Sequence, residues 1–144
     1  MNRIKKDSAF VESILAAKGA GAVERSEREN LPVLHMDIGG GTANLALIED
    51  GHITCTDCLN VGGRLIKIEN NRICYISPVL NGLCRFSVGD AVAERDLEPV
   101  AEMLAQALEM AAGLREPTEL LQKLRTAGLG AHPGCAVKNA VISF

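Results

Sequence analysis

The sequence predicts an α/β domain whose mixed sheet opens as a β-meander, carries inserted β-hairpins and is flanked by helices. Three observations predict it. Short apolar runs at 33–38, 43–48 and 53–58 are separated by turn residues at strand spacing. Leu97, Val100, Leu104, Leu108 and Ala111 then recur on one helical face. A last apolar run, 140–144, supplies a further strand after the helices.

Composition limits the setting. The chain has 144 residues, 47% hydrophobic and 3% aromatic, enough for one domain with a useful core. Its net charge is −3, so no basic field invites nucleic acid or an anionic membrane. No apolar span of about 18 residues occurs, and the first residues lack a signal-type apolar core. The expected location is the cytoplasm.

Taken in order, Met1–Lys6 read as a basic, frayed start. Asp7 or Ser8 caps a helix with Phe10, Val11, Ile14 and Leu15 on its apolar face, ending at Gly19. Gly19–Ala22 read as a flexible joint, and Glu24–Asn30 as a mixed-charge loop closed by Pro32. Strands over Val33–Ile38 and Ala43–Ile48 enclose a glycine turn. Asp50-Gly51 turns the chain into a third strand, Ile53–Cys58. Arg64–Ile68 and Arg72–Ser77 flank the turn residues Glu69-Asn70-Asn71 as another hairpin, broken by Pro78. Asn81-Gly82 turns again before a short strand at Arg85–Val88. A helix starts at Asp96 with Pro99 in its first turn and stops at Gly113. A second begins near Pro117-Thr118, buries Leu120, Leu121 and Leu124, and ends at Gly128. Gly130–Gly134, including Pro133, is a loop, and Ala140–Phe144 is a core strand.

The chemistry concentrates at Asp37, Gly39, Gly40, Gly41 and Thr42. Three successive glycines permit a tight turn and leave their N–H groups unshielded by any Cβ. Successive N–H groups of that kind form a concave site for phosphate oxygens. Thr42 adds a hydroxyl at the rim. A carboxylate at the end of a buried strand needs a partner, and Asp37 suits a hydrated divalent cation. Phosphate plus cation suggests a nucleotide. The pattern is neither a P-loop nor a dinucleotide fingerprint; the plain alternative is a glycine hairpin turn with Asp37 capping backbone. Gly62 and Gly63 form a second glycine pair, followed by Arg64. They serve either as an ordinary turn or beside phosphate, where Arg64 would pair with the anion.

Five cysteines are an odd number. Cys55-x2-Cys58, with Cys74 and Cys84, has a partial zinc spacing. Yet Cys55 and Cys58, three apart on one strand, point to opposite faces, so free thiols are expected instead. His35 in a strand, His52 in a turn and His132 before a proline lack partners at metal spacing.

The segment Asp37–Thr42 within a hairpin resembles the phosphate loop of the actin-like ATPase superfamily, which includes sugar kinases and the seventy-kilodalton heat-shock chaperones. A three-strand meander with phosphate at its first turn resembles the opening of their ribonuclease-H-like lobe. With the flanks Asp7–Phe10, Gly19–Ala22, His35–Leu47 and Cys58–Leu65 included, the chain resembles the EutA family of ethanolamine utilization proteins, the reactivating factors of ethanolamine ammonia-lyase. The resemblance implies a chaperone-like factor that uses ATP and magnesium to release damaged cobalamin from that lyase. It places 1–32 as an N-terminal helix and connector and 33–144 as a partial actin-like lobe, with 64–92 a β-rich insertion. It also implies a cytoplasmic protein, associated with a bacterial microcompartment.

Carried onto this chain, Gly39, Gly40 and Gly41 would present N–H groups to the β- and γ-phosphates of ATP or ADP, with Thr42 on a phosphate oxygen. Gly62 and Gly63 would lie beside the terminal phosphates. Asp37 would hold Mg2+ through water and orient the attacking water. Asn44 stands where the chaperones carry an aspartate; a neutral amide is no base, which implies slow hydrolysis or plain binding. Two other readings stay open: an actin-like kinase or exopolyphosphatase, and a non-catalytic, actin-like assembly module. The expected partner is ethanolamine ammonia-lyase, with neither nucleic acid nor membrane, and a homo-oligomer is compatible. The final strand is expected to run on into a further loop, making the chain a portion of a longer lobe that is inactive alone.

Overall fold

The computed structural model describes residues 2–126 and 140–144, with side chains from residue 11 onward. Ten elements follow in order: α1 (Asn2–Gly19), α2 (Ala22–Glu29), β1 (Val33–Ile38), β2 (Ala43–Glu49), β3 (His52–Leu59), β4 (Ile66–Glu69), β5 (Arg72–Ile76), α3 (Glu98–Ala111), α4 (Glu119–Leu124) and β6 (Val141–Ser143). The main sheet has the order β3-β2-β1-β6. β1 is antiparallel to β2 and β2 to β3, while β6 runs parallel to β1, so the sheet is mixed. Asp50 and Gly51 take φ of 50° and 73°, the left-handed pair that a two-residue hairpin turn needs.

β2 is central, and its first six residues are buried because both faces of the sheet are covered. On one face Leu34, Met36, Leu45, Leu47 and Leu59 pack with Ala107, Met110 and Ala111 of α3 and Leu121 and Leu124 of α4. On the other, Val33, Ala46 and Ile48 meet Ala17 and Ala22. α1 therefore presents a different face from the expected one. Ser13 and Ala17 are buried, whereas Val11 and Leu15 are 49% and 62% exposed. Small side chains let the helix lie close on Ala46, and close packing outweighs the bulkier stripe. The helix also starts before Asp7 and Ser8, which lie inside it. The side chain of Phe10 is outside the described residues.

The expected charged loop at 24–30 is instead the helix α2. Gly21 enters it at φ 72° and Asn30 leaves it at φ 51°, its N–H donating to the Ser26 carbonyl. Arg25 pairs with Glu29 one turn on, at 3.2 Å. Ser26 is fully buried; its hydroxyl donates to the Ile48 carbonyl and accepts from the Gly51 N–H. That contact fastens α2 to the β2–β3 turn.

β4 and β5 form a separate antiparallel sheet, turned by Asn70 and Asn71 at φ 51° and 58°. No strand forms at Arg85–Val88. Ser87 to Asp90 is a turn closed by the Asp90 carboxylate on the Ser87 N–H. The chain rejoins the hairpin just after it, with Ala91 bridged to Arg72 and the Ile73 N–H donating to the Asp90 carbonyl. The expected start at Asp96 is a 3-10 turn over Glu94–Leu97, whose Asp96 carboxylate accepts from the Ala93 N–H. α3 begins two residues later, with Pro99 in its first turn. Thr118 caps α4 through the Leu120 N–H, and α4 ends at Leu124. Gly128, the Gly130–Gly134 loop and His132 lie outside the described residues. β6 is only half-buried, because among the described residues it pairs on one side alone.

Candidate functional site

Both glycine-rich turns sit at the same end of the sheet, after β1 and after β3, and they are locked together. The Gly63 N–H donates to the Gly39 carbonyl at 3.0 Å, and the Arg64 N–H donates to the Gly40 carbonyl at 2.7 Å. Gly62 lies so close that a Cβ there would stand 2.5 Å from the carbonyl carbon of Gly40 and 2.7 Å from the Gly41 nitrogen. The second glycine turn is thus the support of the first.

The Gly39 N–H donates to the Thr42 carbonyl at 2.8 Å and closes the turn. The N–H groups of Gly40, Gly41 and Thr42 have no backbone partner among the described residues. The run of free amides is therefore displaced by one residue from Gly39–Gly41. Three adjacent amides on a turn fixed by three backbone bonds are thus left without a backbone partner, the state from which successive N–H groups can bind an anion.

Asp37 is exposed at the end of β1, and among the described residues it takes part in no ion pair. Mg2+ commonly uses one or two carboxylates with phosphate and water; one exposed carboxylate beside an anion-ready turn fits that donor set. Asn44 lies opposite Asp37 across the strand pair but is buried, and its Oδ1 has no hydrogen-bond partner. His35, also buried, leaves Nδ1 unpartnered on the same face. Burial pushes the His35 imidazole below its ordinary range, partly opposed by the Asp37 carboxylate.

A cleft of about 380 Å³ opens beside the turn. Gly40, Gly41, Asn60 and Arg64 line it, together with Lys67 and Tyr75 of the β4–β5 hairpin. Asp37, Thr42 and Asn44 do not line it. Lys67 and Tyr75 carried no signal in sequence. Counting back from Glu69 opposite Arg72 would set Lys67 against Cys74. A bulge between Lys67 and Ile68 shifts the register and sets it against Tyr75.

Behind this edge the end of β3 is clamped to the end of α4. Asp57 accepts from Arg125 at 3.0 Å and from the Cys58 N–H at 2.9 Å. The Asn60 N–H donates to the Leu124 carbonyl, and the Thr126 N–H to that of Cys58. Burial pushes the Cys58 thiol up, against a lowering hydrogen bond from Thr126. Cys58, Cys74 and Cys84 are free, but Cys55 is disulfide-bonded, which corrects the expectation of a free thiol there. No group of three or more His, Cys, Asp or Glu is placed to hold a metal among the described residues. No described helix is long and apolar enough to cross a membrane.

A family model described as ethanolamine utilisation protein EutA matches residues 9–143. The chain is 52% identical over 66 residues to the ethanolamine ammonia-lyase reactivase EutA of Escherichia coli (strain K12). It is 48% identical over 66 residues to the reactivase of the same name from Salmonella typhimurium (strain LT2). Each match covers 45% of this chain and 14% of the relative, so the shared stretch is a small part of those proteins. A third similarity, 40% over 50 residues, is to the cell division protein FtsA of Bacillus subtilis (strain 168); it covers 35% of this chain and 11% of that protein. No solved structure matches the chain.

Proposed function

The chain belongs to the EutA family of ethanolamine utilisation proteins, and on that footing we propose that it is part of an ATP-dependent, chaperone-like factor acting on ethanolamine ammonia-lyase. The work would be release of damaged cobalamin from the lyase, so that intact cofactor can enter. The observation that carries the nucleotide part is the locked pair of glycine turns, which leaves the Gly40, Gly41 and Thr42 amides unpaired. An antiparallel meander with a parallel strand added beside its first strand supports the ribonuclease-H-like, actin-like lobe.

In this reading the three amides hold the terminal phosphates, with the Thr42 hydroxyl beside them. Gly62 and Gly63 keep the turn in shape. Asp37 would hold magnesium through water. Asn44 offers neither a base nor an exposed amide, so the chain's own residues favour binding over rapid hydrolysis. Bound nucleotide would supply the free-energy difference between two arrangements of the whole factor.

The test mixes the full-length protein with inactivated ethanolamine ammonia-lyase, ATP, magnesium and fresh coenzyme, and follows lyase activity. Recovery is expected with ATP and not without it, and Asp37→Asn is expected to slow recovery at least tenfold. Recovery that is indifferent to ATP would refute the nucleotide reading. No recovery under any condition would refute the reactivation reading.

A further inference from the structure

The geometry points to the β4–β5 hairpin as the second wall of the phosphate site, with Arg64 and Lys67 clamping a linear phosphate chain against the Gly40–Gly41 turn. The inference rests on the phosphate reading of that turn and adds residues that the glycine motif does not contain.

The cleft between turn and hairpin carries two charged side chains, Arg64 and Lys67, and no carboxylate lines it. Neither cation has an ion pair among the described residues; Lys18, Arg72, Arg85, Arg95 and Lys123 lack one too, but none of those lines the cleft. In a chain of net charge −3, two unpaired cations facing one cleft make a local field of the opposite sign.

Both cations are also held in place. The Arg64 N–H is bonded to the Gly40 carbonyl. Its guanidinium lies over Gly40 so closely that a Cβ there would be 2.5 Å from Nε and 2.7 Å from Nη2. Glycine at 40 thus makes room for the guanidinium as well as exposing the amide. The Lys67 ammonium sits 5.3 Å from the centroid of the Tyr75 ring, a contact that restrains an otherwise free side chain. The planar guanidinium suits two oxygens of one phosphate, and the ammonium suits a neighbouring phosphate as a point charge. A single phosphate would use only part of this set of donors. The ligand class is therefore a chain of two or more phosphates, as in a nucleoside di- or triphosphate or in inorganic polyphosphate.

Calorimetry on the full-length protein with magnesium would compare ATP, tripolyphosphate, AMP and adenosine. Wild-type protein is expected to bind ATP and tripolyphosphate, and AMP more weakly than either. Arg64→Gln and Lys67→Gln are each expected to weaken tripolyphosphate and ATP about tenfold, the size of one charge-assisted hydrogen bond. Lys67→Arg should restore most of the loss, and adenosine should bind alike in all variants. Both side chains are exposed, so folding is not at stake, and circular dichroism would verify it. If wild-type protein binds tripolyphosphate and both glutamine variants bind it equally well, the hairpin wall is refuted while the glycine turn stands. If wild-type protein binds neither tripolyphosphate nor ATP, both readings fall. Binding of ATP but not tripolyphosphate would show that the nucleoside dominates recognition, and would overturn the clamp.

Discussion

A Cβ on Gly62 would stand 2.5 Å from one backbone atom of Gly40 and 2.6 Å from another, while a Cβ on Gly63 would meet nothing within 4 Å. Backbone cannot swing aside as a flexible side chain can, so the two glycines should respond very differently to substitution. Gly62→Ala is expected to destabilise the protein by about 1–3 kcal/mol, the usual cost of overpacking. Gly63→Ala should stay within about 0.5 kcal/mol. Urea midpoints at constant slope would measure both, and equal losses would show that the loops are not locked as described. The glycines at 62 and 63 are plain in sequence, where they suit a turn or a phosphate neighbour. Neither role includes support of the first turn, because that role depends on an approach between residues more than twenty positions apart.

At the scale of elements, the loop bearing Gly62 is held by the junction between β3 and α4. Asp57 is buried and Arg125 is 20% exposed, and their ion pair at 3.0 Å spans that junction. Asp57→Ala would leave the arginine partly buried without its partner and free the Cys58 N–H. A loss of about 2 kcal/mol is expected, less than for a fully buried pair because water reaches the arginine. A thermal melt would show it, and a double variant with Arg125→Met should recover part of the loss. Strands β1 to β5 were legible because alternation and paired turn residues are local signals. α2 was not: its charged residues suggest a connector, and its helix depends on Ser26 bonding to Ile48 and Gly51. The same limit applies to α1, whose buried face is set by how closely its small residues Ser13 and Ala17 fit the sheet beneath them.

For the whole molecule, protection should follow coverage. β2 is paired on both sides and covered on both faces, whereas β4–β5 is a two-stranded sheet with exposed turns. Native-state hydrogen exchange should therefore find the β2 amides among the slowest and those of β4–β5 among the fastest in strands. Equal protection would mean that the hairpin is packed more firmly than its pairing implies. A slowing confined to β4–β5 and Gly40–Gly41 on adding tripolyphosphate would join this prediction to the clamp.

Strands β1 to β5, helices α3 and α4, the glycine turn and the carboxylate before it were determined by the sequence alone, since each is written in neighbours a few residues apart. Tertiary structure decided which face of α1 is buried, that 22–29 is helical, that the second glycine turn braces the first, and that Lys67 faces Tyr75. Each of these turns on a distance between remote backbones, or on one bulged residue, and local patterning carries no record of either.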